Sequence, residues 1–552
     1  MTRKTFLSFL IFVFLSIIVT FPLILKPTQI TVAGREEFFL SYILNWNIHA
    51  LTHFPLKIFQ APFFHPFKNT LAFSDPLFTS AIITLPFVKI FNQPFLAYTV
   101  NIFLSFVFNG FFTYLLVFKL TKNFYSSLIS GLLVSFSIGR IDSLEHLQVF
   151  GFYWIPLGLY FFLNQQPKLT ILTFILQTLN TVFLGFVHGF TLTVFSLVFF
   201  LKKKITKHQL LTLAKYFIFA LIILVIIFIP YFQVSKTYQV TRSLKDIFGG
   251  SAYFLDYFYP TQTSRLQSLA SQIINKQPWP AYLGAPILIL ALVTVFYVSS
   301  TPVVLASIIS AFSGFIFSLG PYFQLTRHNK FLHFPLPYLW VYYLVPGFKS
   351  MRVPQRWSHL LLFSLALIIG LNLPRLFKKL KPSYIKIFTT LVALLIILEI
   401  RLPLFNQPVA TRSQIPPVYH WLANQPSGTI VEIPAQTWVM KLSDIEIQRL
   451  HYRSFLLNAN HKFINGFSGF SPPAWEDNIS ALRKFPQKTA IQTLQQLNAN
   501  LVVIHHQDVA ELKKQDIFTL DLSKMQSILS QHPDFSLAYE DSQTSVYTIY
   551  ND

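Results

Sequence analysis

Long apolar runs separated by short polar stretches fill the first 402 residues. They lie at 5–25, 95–118, 124–138, 148–163, 169–186, 188–201, 208–230, 283–298, 303–319, 355–372 and 385–402. A bilayer core takes roughly 20 apolar residues as helix, so the pattern predicts about 11 transmembrane helices. The first run, FLSFLIFVFLSIIVTFPLIL, follows Arg3 and Lys4 and has no small-residue cleavage site after it, and it reads as an uncleaved anchor. The run at 77–91, LFTSAIITLPFVKIF, holds an internal proline and a lysine and is short for a span. We expect it to lie flat in the outer interface or to re-enter from it.

From residue 403 the pattern changes. GTIVEIP (428–434) and NLVVIHH (500–506) are short, β-branched and bounded by turn formers, as buried strands are. PPVYHWLAN (416–424) and KTAIQTLQQLNA (488–499) read as helices, and SLAYEDSQTSVYTIY (536–550) reads as a hairpin. The expected division is a transmembrane part, 1–402, and an extracytoplasmic α/β domain, 403–552.

Charge fixes the expected orientation. Residues 1–402 hold 32 Lys/Arg against 8 Asp/Glu, whereas 403–552 hold 11 against 13. The basic excess sits in short links, KLTKN (119–123), KKKITK (202–207) and PRLFKKLKPSYIK (374–386), as in cytoplasmic loops. That arrangement puts the N-terminus inside, the tail outside, and 26–94, 231–282 and 320–354 as outer loops. The chain is 53% hydrophobic and only 12% charged, too little charge to cover a soluble surface of this size. The net charge of +22 forms no basic stripe in a soluble module, so no nucleic-acid partner is expected. With no cysteine, disulfides and thiolate sites are excluded.

Three stretches carry candidate chemistry. The outer loop 26–94 contains the adjacent acids Glu36 and Glu37, with Asp75, His49, His53 and His65. If 36–53 is a helix along the interface, Asn45, His49 and His53 share a face and Glu37 falls near the same stripe. A carboxylate near lipid has a raised pKa and suits a general base; pairing with Arg35 and Lys26 is the structural alternative. In GRIDSLEHLQ (139–148), Asp142, Glu145 and His146 stand at i, i+3 and i+4, able to hold a divalent cation or to supply a second proton-handling group, or to serve as a salt-linked cap with Arg140. In VPGFKSMRVPQRWSHL (345–360), Lys349, Arg352 and Arg356 form a basic face suited to a lipid phosphate or to headgroup anchoring.

The order of elements, with GREEFFLSYILNWNIHAL, HPFKNTLAFSDPL, GFKSMRVPQRW and INGFSGFSPP following one another, resembles the C-superfamily (GT-C) of membrane glycosyltransferases, and bacterial polytopic proteins assigned to it. The likeness runs from about residue 30 to 506. It implies sugar transfer from a polyprenyl-phosphate donor to an acceptor on the extracytoplasmic face of a bacterial-type inner membrane. An acid of the first outer loop would act on the acceptor. Where the relatives tend to have Asp soon after the glycine, this chain has Arg35 followed by Glu36 and Glu37, and the role falls to Glu37 ahead of Glu36 because Glu37 lies nearer the stripe of Asn45 and His49. Arg352, Arg356 and Lys349 would stabilise the leaving phosphate. Asp142, Glu145, His146 and His49 are the acceptor or metal candidates, and the tail turn with Asn465, Gly466 and Ser468 would cap the site or bind acceptor. No cofactor is required beyond a divalent cation at most. The alternative is a non-catalytic factor for translocation or assembly of lipid-linked saccharides. A transporter is disfavoured, since no repeated halves or mid-span charges stand out.

Overall fold

Helices occupy the apolar runs. The computed structural model describes residues 2–32, 34, 36–271, 281–326, 334–435, 443–514 and 521–550. Among these, six helices are long and apolar enough to cross a membrane: Leu96–Thr121, Phe124–Ile141, Val182–Leu201, Lys207–Ile227, Pro354–Phe377 and Pro382–Glu399. Four apolar helices, Phe78–Phe91, Leu147–Leu163, Ala285–Tyr297 and Pro302–Ser318, are shorter. Phe78–Phe91 has 14 residues, about 21 Å at 1.5 Å per residue, against a core of about 30 Å, and it fits the non-spanning role expected of it. The expected spans 169–186 and 188–201 divide earlier than their pattern indicates. Thr181 is extended, so the helices are Pro167–Asn180 and Val182–Leu201. Asn180 takes the backbone N–H groups of Leu77 and Ser80, which fastens the outer loop to this break.

Small residues let the bundle close. A methyl group on Gly131 would stand 2.5 Å from the Gly110 carbonyl oxygen, so Leu96–Thr121 and Phe124–Phe136 meet nearly backbone to backbone.

Beyond residue 408, five strands of the described residues form one mixed sheet in the order Lys462–Phe463, Thr429–Ile433, Leu501–His505, Thr544–Ile549, Phe535–Glu540. The first three are parallel and the last two join antiparallel as a hairpin. Thr429–Ile433 is buried along its whole length, which accounts for its unbroken apolar and β-branched character.

This region does not hang from the bundle. Its entry strand Phe405–Pro408 pairs antiparallel with Ile30–Val32 of the first loop. His65 donates its N–H to Phe463 O at 2.9 Å, and Phe463 donates to Pro62 O at 3.0 Å. The helix Ser443–Arg453 packs on the helix Glu37–His53. Glu37 and the run from Phe39 to Ala50 are buried. The helix expected along the lipid interface is therefore enclosed between bundle and tail. Beneath it lies a buried ionic cluster. Arg453 reaches Glu432 at 2.5 Å and Glu446 at 2.6 Å, Arg449 reaches Asp508 at 2.6 Å, and Tyr419 donates to Glu432 at 3.0 Å.

Candidate active site

A cavity of about 1140 Å³ opens between Val182–Leu201, Lys207–Ile227, Ile229–Tyr238, Tyr338–Leu344 and the segment 345–357. Phenylalanine, valine and leucine side chains make most of its wall. Its charged residues are Glu36, Asp75, Arg242, Lys349, Arg352 and Arg356. The outer-loop acid and the basic segment, more than 300 residues apart in sequence, thus share one space.

The basic residues do not share a helical face, as their spacing suggests. Gly347, at φ +91°, and Pro354 interrupt the chain, leaving single 3₁₀ turns at Phe348–Ser350 and Pro354–Trp357. Their common wall comes from a backing segment. Arg242 N–H donates to Lys349 O at 2.8 Å, and Gln355 N–H donates to Gly250 O at 3.1 Å. A methyl group on Gly250 would stand 2.4 Å from Arg352 O, so only glycine permits that approach. Tyr342 donates to Arg242 O at 2.9 Å, and its ring and that of Tyr343 lie 5.9 and 5.8 Å from the Lys349 ammonium.

The two adjacent glutamates face different surroundings. Glu36 occupies the bend before the helix and lines the cavity, and its Oε2 accepts from His146 Nδ1 at 2.9 Å. Burial works against its ionisation, but His146, Arg356 and Arg352 outweigh that and hold the carboxyl at about 2. Glu37 is 2% exposed and is not part of the cavity wall; its Oε2 has no hydrogen-bond partner among the described residues. Burial, with repulsion from Glu145 and Glu36, pushes it up to about 8 against the backbone N–H groups of Glu37 and Gly34. The expected preference for Glu37 is thereby reversed: one step along the chain turns a helical side chain by about 100°. Arg35, the alternative ion-pair partner, lies outside the described residues.

Glu37 also gives a pH signature. Its unfolded form ionises near 4.5 and its folded form near 8, so folding retains a proton in between. Stability therefore falls as pH rises from 4.5 to 8. Glu37→Gln is expected to flatten this slope, measured as the melting temperature of the detergent-solubilised protein between pH 5 and 9.

His49 is not at the site. It lies 13 residues beyond Glu36, about 20 Å up the helix, stacked on His53 at 4.4 Å, and burial lowers it to about 4. Asn45 is spent on Ser41 O and Pro94 O.

The trio in 139–148 also parts. The chain there forms two short helical pieces, Ile138–Ile141 and Leu147–Phe150, with a turn between. Asp142 accepts from Thr261 at 2.8 Å and from Thr263, well away from His146's bond to Glu36. Glu145 Oε1 stands 3.7 Å from His146 Nε2. Arg140 stacks on Phe150 and Phe152 and bonds backbone carbonyls, so it makes no salt-linked cap. Among the described residues no group of three or more His, Asp or Glu side chains is placed to hold a metal ion.

In the tail turn, Asn465 brackets the Glu432 peptide, accepting at 2.7 Å and donating at 2.9 Å. A methyl group on Gly466 would meet the Phe64 ring at 2.8 Å, and Ser468 is buried. These three are structural. Phe467, Gly469 and Phe470 of the same turn are the ones that line the cavity.

Asp75 and Arg242 were not singled out by the sequence. Asp75 accepts from Thr181 at 2.7 Å at the start of the helix Val182–Leu201. Burial raises its carboxyl, Glu36 adds to this, and Thr181 and Arg356 oppose it. Its signal was scarcity, since it is one of eight acids before residue 403. Nothing local marks Arg242.

No family model and no curated protein matches the chain. Among solved structures, the arabinofuranosyltransferase AftD from Mycobacteria is similar over 100% of this chain at TM-score 0.54 and 11% identity. This chain spans only 40% of AftD's length. The oligosaccharyltransferase AglB from Archaeoglobus fulgidus, in complex with an inhibitory peptide and a dolichol-phosphate, aligns at TM-score 0.47 and 11% identity over 100% of this chain and 74% of its own. ArnT from Cupriavidus metallidurans, bound to undecaprenyl phosphate, aligns at 0.49 and 11% over 98% and 97%. With a helical bundle, acids of the first loop and a basic segment lining one cavity, the chain shares the fold of the corresponding part of AftD.

Proposed function

We propose that the protein transfers a sugar from a polyprenyl-phosphate carrier to an acceptor at the extracytoplasmic face of a bacterial-type cell membrane. One observation supports this reading: a mainly apolar cavity of about 1140 Å³ has Arg352, Arg356 and Lys349 in its wall together with Glu36 and Asp75. An isoprenoid tail gains by leaving water for an aromatic-lined space. Its phosphate needs cationic donors there, and arginine forks match phosphate oxygens. When the bond from the anomeric carbon to the phosphate breaks, negative charge grows on the phosphate. Fixed guanidinium groups in a water-poor site stabilise that change. The positive charge concentrated in the short links supports a cytoplasmic N-terminus, with this site, the first outer loop and residues 403–552 on the extracytoplasmic side.

The test is transfer by purified protein in nanodiscs, supplied with labelled polyprenyl-phosphate sugars and candidate acceptors. Wild type is expected to transfer from at least one donor, and Glu36→Gln to lose at least about 10²-fold. Binding of polyprenyl phosphate without transfer from any donor would favour a translocation or assembly factor instead.

A further inference from the structure

A second chamber of about 270 Å³ adjoins the cavity, and Arg352 and Arg356 belong to the walls of both. It is more polar than its neighbour, with Ser143, His146, Asp246 and Gln355 in its wall beside Val149 and Val353. It falls just below the roughly 300–1,000 Å³ of drug-sized ligand sites, room for a single polar group such as a sugar ring. Glu36 lines the apolar cavity, His146 lines the polar chamber, and the 2.9 Å bond between them bridges the two.

We propose that His146 is the catalytic base, that Glu36 orients it, and that the polar chamber receives the hydroxyl group of the acceptor. This rests on the glycosyl-transfer reading. With Nδ1–H donated to Glu36, Nε2 carries the lone pair. The nearest acid to Nε2, Glu145 Oε1, stands at 3.7 Å, too far for a hydrogen bond. A carboxylate held near 2 is a weak proton acceptor at neutral pH but a strong orienter of an imidazole. A nucleophile, a base and a third group that orients the base is a recurrent catalytic arrangement.

The step balances as follows. The acceptor hydroxyl gives its proton to His146 Nε2, and its oxygen forms the new bond to the anomeric carbon. The bond from that carbon to the phosphate oxygen breaks, and its electron pair leaves with the lipid phosphate. Arg352 and Arg356, common to both chambers, face the charge gained there. The imidazolium then releases its proton to water, since His146 is 28% and Glu145 41% exposed at the side chain. The groups facing His146 are Glu36, Glu145, Asp246, Arg352, Arg356 and, electrostatically, His359.

The test compares wild type, His146→Gln, His146→Gly and Glu36→Gln in the nanodisc transfer assay. Wild-type kcat/KM should rise with pH as a single base loses its proton. His146→Gln should lose that ionisation and roughly 10²–10⁴-fold in rate, yet bind undecaprenyl phosphate as wild type does. Added imidazole should restore part of the activity of His146→Gly. Glu36→Gln should keep the ionisation but move it to lower pH, because the imidazolium has lost its carboxylate. An unaltered profile in His146→Gln, beside an active wild type, overturns this assignment alone. An inactive wild type overturns the transfer reading, and this assignment with it.

Discussion

Arg356→Ala is expected to lower transfer from a polyprenyl-phosphate sugar by roughly 10²–10³-fold, the usual loss when one fixed donor to a developing anion is removed. Arg356 lies in the wall of both chambers and is electrostatically coupled to Asp75 and Glu36. Among the described residues Arg356 is a cation coupled to both of these acids. Because the charge on phosphate grows along the reaction, most of the loss should fall on kcat rather than KM. Arg356→Lys should recover only part, since an ammonium supplies a point charge without the fork. The measurement is steady-state transfer on protein whose folding is checked by melting temperature. Wild-type kcat in the alanine variant would remove Arg356 from the chemistry.

Arg453→Met is expected to destabilise the chain by about 3–5 kcal/mol, the cost of leaving a buried ion cluster without one partner. Arg453 is 1% exposed, and its bonds to Glu432 and Glu446 are at 2.5 and 2.6 Å. Burial opposes its charge, yet the two carboxylates more than offset that and raise its pKa. Without the guanidinium, Glu446, already raised by burial, would take up a proton or admit water. Chemical or thermal unfolding of the purified protein measures the loss. The triple variant Arg453→Met, Glu432→Leu, Glu446→Leu should recover much of it, because an apolar cluster of similar volume needs no compensation. Equal instability of single and triple variants would show that shape, and not charge, governs this core.

Part of this was legible because it is periodic. The long runs became helices, and the strands Thr429–Ile433 and Leu501–His505 fell where β-branched segments stood between turn formers. Scarcity was informative as well, since acids in an acid-poor chain led to Glu36 and to the His146 stretch. Spacing misled where a helix was assumed. Asp142, Glu145 and His146 lie across a turn, and Lys349, Arg352 and Arg356 follow a left-handed glycine and are split by a proline. The basic residues still share a wall, but through a segment about 100 residues away, a contact with no trace in local pattern. Which of two adjacent glutamates faces the cavity depends on where the helix begins, and that is fixed by packing against residues 443–453.

That packing sets an order of events during synthesis. Glu36 precedes a helix whose far side is completed only by residues made some 400 positions later, and Ile30–Val32 waits for Phe405–Pro408. A ribosome extends the chain by roughly 5–20 residues each second, so the first loop stays incomplete for about 20–80 seconds. The cavity wall at Glu36 is therefore backed only late in synthesis, once residues 443–453 have been made and packed on the helix that follows it.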